Sequence, residues 1–291
     1  MPTRREFVGA LAGTAAVFAG RAQAQAPQPG TVGGWPARSV RVISPTGSGG
    51  PGQNFRLYAE ELKETFGQSF VLENMPGGSG AIGCTAVARA AADGHTLLLA
   101  SNSHIVLAPL VLTNSPVNVK KDFVPIALMF TFPFLLLVKR TGIDAVHVPY
   151  QATTQQMLAA AAGTLQFTFD TVGNSRGMVD AGKVVPLAVT GARRAIAAPD
   201  VPTFKELGYD GFDELFVANG LLAPAGTTPA LIAALNREMV RMNAAGAIRD
   251  KLIAASYEPG TLAPAEYGAM IDRELKLWGD VVQETGVRVK A

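Results

Sequence analysis

The sequence predicts an α/β fold with a largely parallel sheet. Short apolar segments alternate with longer segments of helical periodicity along most of the 291 residues. Several apolar segments, Thr96 to Ala100 above all, lack polar interruptions, as strands buried on both faces do. A glycine-rich turn joins the first such segment to the first helix, which is the layout of a strand–turn–helix unit.

Val40 to Ser44 is the first expected strand, followed by a helix from about Asn54 to Phe66. Ser69 to Glu73 is the second strand, and Pro76 to Gly80 a turn. A helix from Ile82 to Ala92 ends at the Asp93-Gly94 turn pair, and Thr96 to Ala100 follows as a buried strand. The apolar stretches around Ile126 and from Leu135 to Val138 read as further strands, as does Ala145 to Val148. Thr153 or Thr154 is expected to cap a helix reaching Ala162, with a strand at Leu165 to Phe169 and a short helix near Met178. Val185 to Thr190 is another strand, and Leu215 to Leu222 an apolar stretch. The last third is helical: Pro229 to Asn243 capped by Thr228, Ala247 to Ala255, and Pro264 to Glu284. Ile271, Leu275 and Trp278 have helical spacing and are expected in the core.

Residues 1–26 stand outside this pattern. Arg4-Arg5, an apolar run from Phe7 to Ala19 and the sequence Arg21-Ala22-Gln23-Ala24 read as a twin-arginine export signal cleaved near Ala24. The run is too short to span a bilayer. The expected destination is the periplasm. Arg4, Arg5 and Arg21 against Glu6 account for the formal charge of +2, so the remaining chain is near neutral. A neutral chain is a poor match to nucleic acid or an anionic membrane surface. Cys84 is the single cysteine, which excludes an intramolecular disulfide and leaves a small buried apolar residue as the plain reading.

Val40 to Leu62 carries the strongest functional signal. A strand, a glycine turn and a helix start aim backbone N–H groups and the positive end of a helix dipole at one place, which suits an anion. The turn Gly47 to Gly52 is formally G-x-G-x-x-G, and Glu73 ends the next strand, as in a dinucleotide site. Pro51 removes one donor from that loop, and no hydride-transfer residues accompany it, so a turn that merely needs glycine is the competing reading. The loop Pro76 to Gly80 precedes a helix in the same way but lacks a P-loop lysine. Ser101-Asn102-Ser103-His104 follows a buried strand at its carboxyl end, where α/β sheets place ligands. Its hydroxyls and amide suit a carboxylate, or simply cap the loop. His95, His104 and His147 have no metal spacing, and no G-x-S-x-G elbow is present. Asp170 ends the LQFTF strand, placed to orient a ligand or a water or to cap the next helix.

Nearly all of the chain beyond the export signal resembles the Bug-type (TctC-like) periplasmic solute-binding proteins, the capture subunits of tripartite tricarboxylate transporters. The resemblance runs through WPARSVRVISPTGSGGPGQNFRLYAEEL, FVLENMPGGSGAIGCTAVARAAADGHTLLLAS, KKDFVPIALM, VHVPYQATTQQMLAAAAGTLQFTFD, GKVVPLAVTGARRAIAAPDVPTFKELGY, GLLAPAGTTPALIAALNREMVR and YEPGTLAPAEYGAMIDREL, in order. It implies a two-lobed, type II periplasmic-binding-protein-like clamp that closes on a small carboxylate. It also implies a non-enzymatic protein without cofactor or metal, and transporter membrane subunits as partners of a monomer. The first lobe is expected at 35–136 plus 223–291 and the second at 137–222.

Carried over residue by residue, the resemblance implies ligand contacts at Ser48, Gly49, Gly50, Ser101, Asn102 and Ser103 from the first lobe and at Asp170 from the second. Two departures stand out. The family's aspartate after the glycine pair is replaced here by Gly52, with Gln53 next, so the position keeps a polar neighbour but no charge. At Lys139 to Asp144 the chain passes directly to the HVPY segment, and roughly forty residues are missing, far more than a minimal crossover needs. The shortened second lobe leaves a competing expectation: a family member with impaired capture that serves as an interaction or sensor protein.

Overall fold

The computed structural model describes residues 31–47, 51–138, 148, 150 and 153–288. The export signal, Ser48 to Gly50 and the Lys139 to Asp144 junction lie outside the described residues, as does all of the expected strand at 145–148 except Val148.

The first unit begins with β1 (Val40–Ser44), α1 (Pro51–Phe66), β2 (Phe70–Asn74), α2 (Ala81–Ala88) and β3 (Thr96–Ser101). Helix α1 starts three residues before its expected beginning, because Pro51 and Gly52 already take helical form. Helix α2 ends early, at Ala88 with Arg89 as its cap. Gly94 then adopts a left-handed φ of 79°, and Asp93 Oδ1 accepts from the His95 N–H at 2.9 Å, closing the expected turn.

The loop expected after β3 is not a plain loop. Ser103–Leu107 forms one π-helical turn that continues into α3 (Ala108–Val111). After α4 (Val119–Asp122), the two expected strands around Ile126 and Leu135 are a single 16-residue strand, β4 (Phe123–Val138). Pro125 and Pro133 interrupt the apolar pattern within it. Pro125 sits where the register shifts, and Pro133 at the end of one pairing, the two places where a strand tolerates a missing N–H.

The second unit contains α5 (Thr153–Ala161), β5 (Phe167–Thr171), α6 (Val172–Asp180) and β6 (Pro186–Val189). The chain returns through β7 (Phe216–Pro224) to α7 (Pro229–Ala244), α8 (Ala247–Ala254), β8 (Glu258–Pro259) and α9 (Pro264–Thr285). Thr228 stands at the N-cap of α7, but its side chain makes no capping bond. Helix α9 opens with Pro264, and Glu266 reaches back to the Ala263 N–H at 2.8 Å, half of a capping box.

The sheet is mixed rather than largely parallel. β2, β1 and β3 run parallel, whereas β7 lies antiparallel to β3 and β4 antiparallel to β7. The cause is the double passage between units: β4 leads out and β7 leads back, so they meet head to tail. Between Pro133 and Phe134 the partner of β4 changes from β7 to β5 and β6.

The first sheet is covered on both faces. Val42, Leu97 and Leu99 meet Phe55, Tyr58, Leu62, Leu235 and Leu252 from α1, α7 and α8. Ile43, Leu98 and Ala100 meet Cys84, Val87, Tyr267 and Ile271 from α2 and α9. Full burial of each such side chain is worth about 1.5–3 kcal/mol. The second unit has a far smaller cluster, Met157, Val172, Val189, Ala195 and Val201, so its order depends on the strand β4 that the first unit anchors.

Candidate functional site

Three loops converge at the carboxyl ends of β1 and β3. Ser44 and Thr46 share a hydroxyl hydrogen bond of 2.8 Å after β1. Gly80, in a left-handed conformation at the start of α2, lies against the His104 ring and 3.3 Å from Pro45 Cβ, measured from where its own Cβ would stand. No side chain fits there, so glycine is required for the approach. Ser79, beside it, holds φ 54°, a left-handed conformation that costs a non-glycine residue energy and often marks a site. Ser101 Oγ bonds His104 Nδ1 at 2.8 Å, drawing the third loop in.

Helices α1 and α2 both begin at this end. Neither has an acidic residue in its first turn, and α2 has no side-chain cap. The Ala81 and Ile82 N–H groups at the start of α2 donate to Gly78 O and Gly77 O, so both helices favour an anion there through the positive ends of their dipoles. Burial lowers the His104 pKa, which favours its neutral form. What this end offers an anion is therefore hydroxyls and backbone dipoles, not an imidazolium charge.

Of the residues expected to bind, Ser101 and Ser103 stand at this end, Ser101 buried and bonded to His104 and Ser103 exposed. Gln53 is exposed on the first turn of α1. Asn102 is buried, and both its N–H bonds are taken: Nδ2 donates to Phe216 O at 2.9 Å and to Glu274 Oε1 at 2.8 Å. Its Oδ1 accepts from the Ala218 N–H at 3.3 Å. Asn102 thus has no donor left for a carboxylate and acts as a positioning residue. Ser48, Gly49 and Gly50 lie outside the described residues.

Asp170 is buried near the end of β5, just before α6. Its Oδ1 accepts from Thr171 N–H at 2.7 Å and from Asn174 Nδ2 at 3.0 Å, while its Oδ2 is buried without a partner. Burial raises its pKa. The neighbouring Phe169 projects from the opposite face of β5, so Phe169 and not Asp170 faces the hollow between the units.

That hollow measures about 330 Å³. Asn102, Ser103 and Trp278 contribute from the first unit, Phe169 and Thr190 from the second, and Phe134 and Phe216 from the strands between them. Trp278 therefore lines a cavity as well as packing beside Ile271 and Leu275. A second hollow of about 460 Å³ shares Thr190 and Phe216 and carries charge. That charge is internally balanced: Arg193 and the Ile196 N–H both bond Glu258, and Arg194 is held by Glu206.

Sequence reasoning missed Thr46, Ser79, Thr190 and Phe169 as site neighbours. The glycine turns flagged the first two loops, but nothing local marked Phe169 or Thr190, which reach the hollow through β4 pairing. Glu73 does not stand free for a ribose: Arg41 grips it twice, at 2.8 and 2.7 Å. Cys84 is buried, and burial pushes its thiol up to about 12, as expected of a packing residue. Among the described residues no group of His, Cys, Asp and Glu is arranged to hold a metal.

A mixed sheet crossed twice by the chain, with a hollow between two units, defines a two-lobed solute-binding protein. The chain belongs to the tripartite tricarboxylate transporter family of receptors (TctC), whose model matches residues 54–141 and 137–287. The family is one of receptors and not of enzymes, which removes the dinucleotide-enzyme reading. The protein BugT of Bordetella pertussis is 27% identical over 303 aligned positions, covering 88% of this chain and 92% of BugT. A Rhodopseudomonas palustris protein solved with adipate is 26% identical, with a TM-score of 0.70 over 88% of this chain and all of the other. MatC from the same organism, solved with bound malate, is 27% identical, with a TM-score of 0.69 over 85% and 100% of the two chains.

Proposed function

We propose that this chain is an extracytoplasmic receptor that captures a small carboxylate between its lobes and presents it to transporter membrane subunits. The observation that carries this is the convergence of the Pro45-Thr46, Ser79-Gly80 and Ser101 to His104 loops beneath two helix N-termini without acidic first turns. That arrangement suits an anion small enough to sit between hydroxyls and N–H groups. The adipate and malate complexes of similar proteins support the same class of ligand. Ser48, Gly49, Gly50 and Ser103 are the proposed direct contacts, with Ser101 and Asn102 shaping the loop and Gln53 at its rim. The twin-arginine segment supports capture in the periplasm, with the proposed division of the lobes near 137 and 222.

The test is a thermal-shift panel of mono-, di- and tricarboxylates on the purified chain, followed by calorimetry on any hit. At least one acid should raise the melting temperature in a concentration-dependent way. Silence across the whole panel sinks the proposal.

One observation favours a second reading, impaired capture. The family match comes in two stretches that overlap at 137–141, and the BugT alignment runs over 303 positions while using only 88% of this chain's 291 residues. Both fit an internal shortening of the second lobe. A cooperative melt with tight ligand binding would rule this reading out, whereas a folded chain that binds nothing would favour it.

A further inference from the structure

Resting on the reading of this chain as a carboxylate receptor, we propose that its ligand is a monocarboxylate with an apolar, ring-sized body seated in the hollow between the lobes. The walls of that hollow decide its chemistry. Phe134, Phe169, Leu215, Phe216 and Trp278 converge on it. Phe169 is 42% exposed, and the other four are only partly buried, so large apolar surfaces face one another across open space. Filling that space with an apolar group removes this surface from water, which favours binding.

The polar groups at the same hollow are few and mostly occupied. Thr190 Oγ1 accepts from the Phe134 N–H at 2.9 Å. Asn102 donates both N–H bonds to protein acceptors. Among the described residues lining the hollow, Ser103, exposed at the lip and next to the converging loops, is the hydroxyl left to meet a carboxylate. Among the described residues, no lysine, arginine or histidine lines the hollow. A second carboxylate carried into it loses water without gaining a counter-charge, which is costly. A volume of about 330 Å³ accommodates one aromatic ring and a short linker but lies at the small end of ligand pockets. The carboxylate end therefore points to the loops of the first lobe and the apolar end to Phe169 and Trp278.

The experiment is calorimetry on the full chain with three probes of similar size: 3-phenylpropanoate, adipate and 3-phenylpropan-1-ol. The acid with the ring should bind at least about tenfold more tightly than adipate, because only adipate must bury a second charge. Trp278, one of two tryptophans, should change its fluorescence on binding, and Trp278→Phe should abolish that signal. Phe169→Lys adds a cation to the wall at a half-exposed site and should narrow or reverse the preference towards adipate. Phe169→Ser is the second variant, expected to weaken the ring acid alone.

Adipate binding as tightly as 3-phenylpropanoate, or more tightly, overturns this inference and leaves the carboxylate reading intact. Equal binding of the alcohol and the ring acid overturns the carboxylate reading, and this inference with it. Failure of both acids to bind overturns this inference, and the carboxylate reading is then decided by the wider acid panel.

Discussion

Asn102 and Glu274, 172 positions apart, are joined by a buried hydrogen bond of 2.8 Å. Through it the last helix, α9, holds the residue that follows β3, and Asn102 passes the hold on to Phe216 and Ala218 at the start of β7. The floor of the hollow is thus tied to the strand that returns from the second lobe.

Asn102→Ala removes three hydrogen bonds at once and leaves Glu274 Oε1, Phe216 O and the Ala218 N–H without them. The expected loss is about 2–3 kcal/mol, the desolvation cost of such groups. Urea unfolding measures it as a lower midpoint at unchanged slope. A loss below about 0.5 kcal/mol would show that water replaces Asn102 freely.

The Glu274 carboxyl itself predicts a pH dependence. Burial raises its pKa from 4.5 to about 7, with Glu214 adding to the rise and Asn102 and Arg273 opposing it. Its Oε2 is buried without a partner. The folded state therefore holds a proton that the unfolded state releases near pH 4.5, and stability falls as pH rises from there through about 7. The full span is worth at most about 3 kcal/mol. Asp170 shifts in the same direction, so the informative quantity is the difference between the wild type and Glu274→Gln. That variant should gain stability relative to the wild type between pH 5 and pH 8. A constant difference across this range would count against a protonated Glu274.

Much of this fold was legible in the sequence, and the exceptions share a cause. Val40 to Ser44, Thr96 to Ala100 and the C-terminal helices carry their periodicity locally, so their positions were readable to within a residue or two at most ends. β4 was not, because Pro125 and Pro133 interrupt a strand that tertiary pairing continues through. The antiparallel β7 was equally hidden, since direction is set by the crossing between lobes and not by composition. At the candidate site, the glycine turns marked two of the loops that meet at the carboxyl ends of β1 and β3. The fate of Asn102 depended on Glu274, Phe216 and Ala218, all more than a hundred positions away, and no local pattern reports such partners.

Close packing between β7 and α9 gives a third prediction. A Cβ on Gly220 would collide with the hydroxyl and ring of Tyr267, which is fully buried. Tyr267 cannot turn aside without opening the cluster it shares with Leu98, Leu222 and Ile271. Gly220→Ala should therefore cost about 3 kcal/mol, at the upper end for overpacking. Pairing it with Tyr267→Phe, which removes the oxygen, should recover part of the loss, and a double-mutant cycle measures the coupling. Strict additivity of the two changes would contradict the collision.

The change of partner along β4 gives the fourth. At Phe134, Thr190 completes the strand twice: its Oγ1 accepts from the Phe134 N–H at 2.9 Å, and its own N–H donates to Phe134 O at 2.9 Å. The side chain thus supplies an acceptor that a ladder would take from backbone. Thr190→Val keeps the shape and the backbone bond but leaves the Phe134 N–H unpaired, at an expected cost of about 1–2 kcal/mol. Thr190→Ser keeps the oxygen and should lose less. Because this bond sits where the strand passes from one lobe to the other, its loss should act locally. Hydrogen exchange at the Phe134 amide should accelerate in Thr190→Val far more than at Leu98 in the first-lobe core. Equal acceleration at both amides would mean that the change lowers global stability alone and that the crossing is not a separate point of opening.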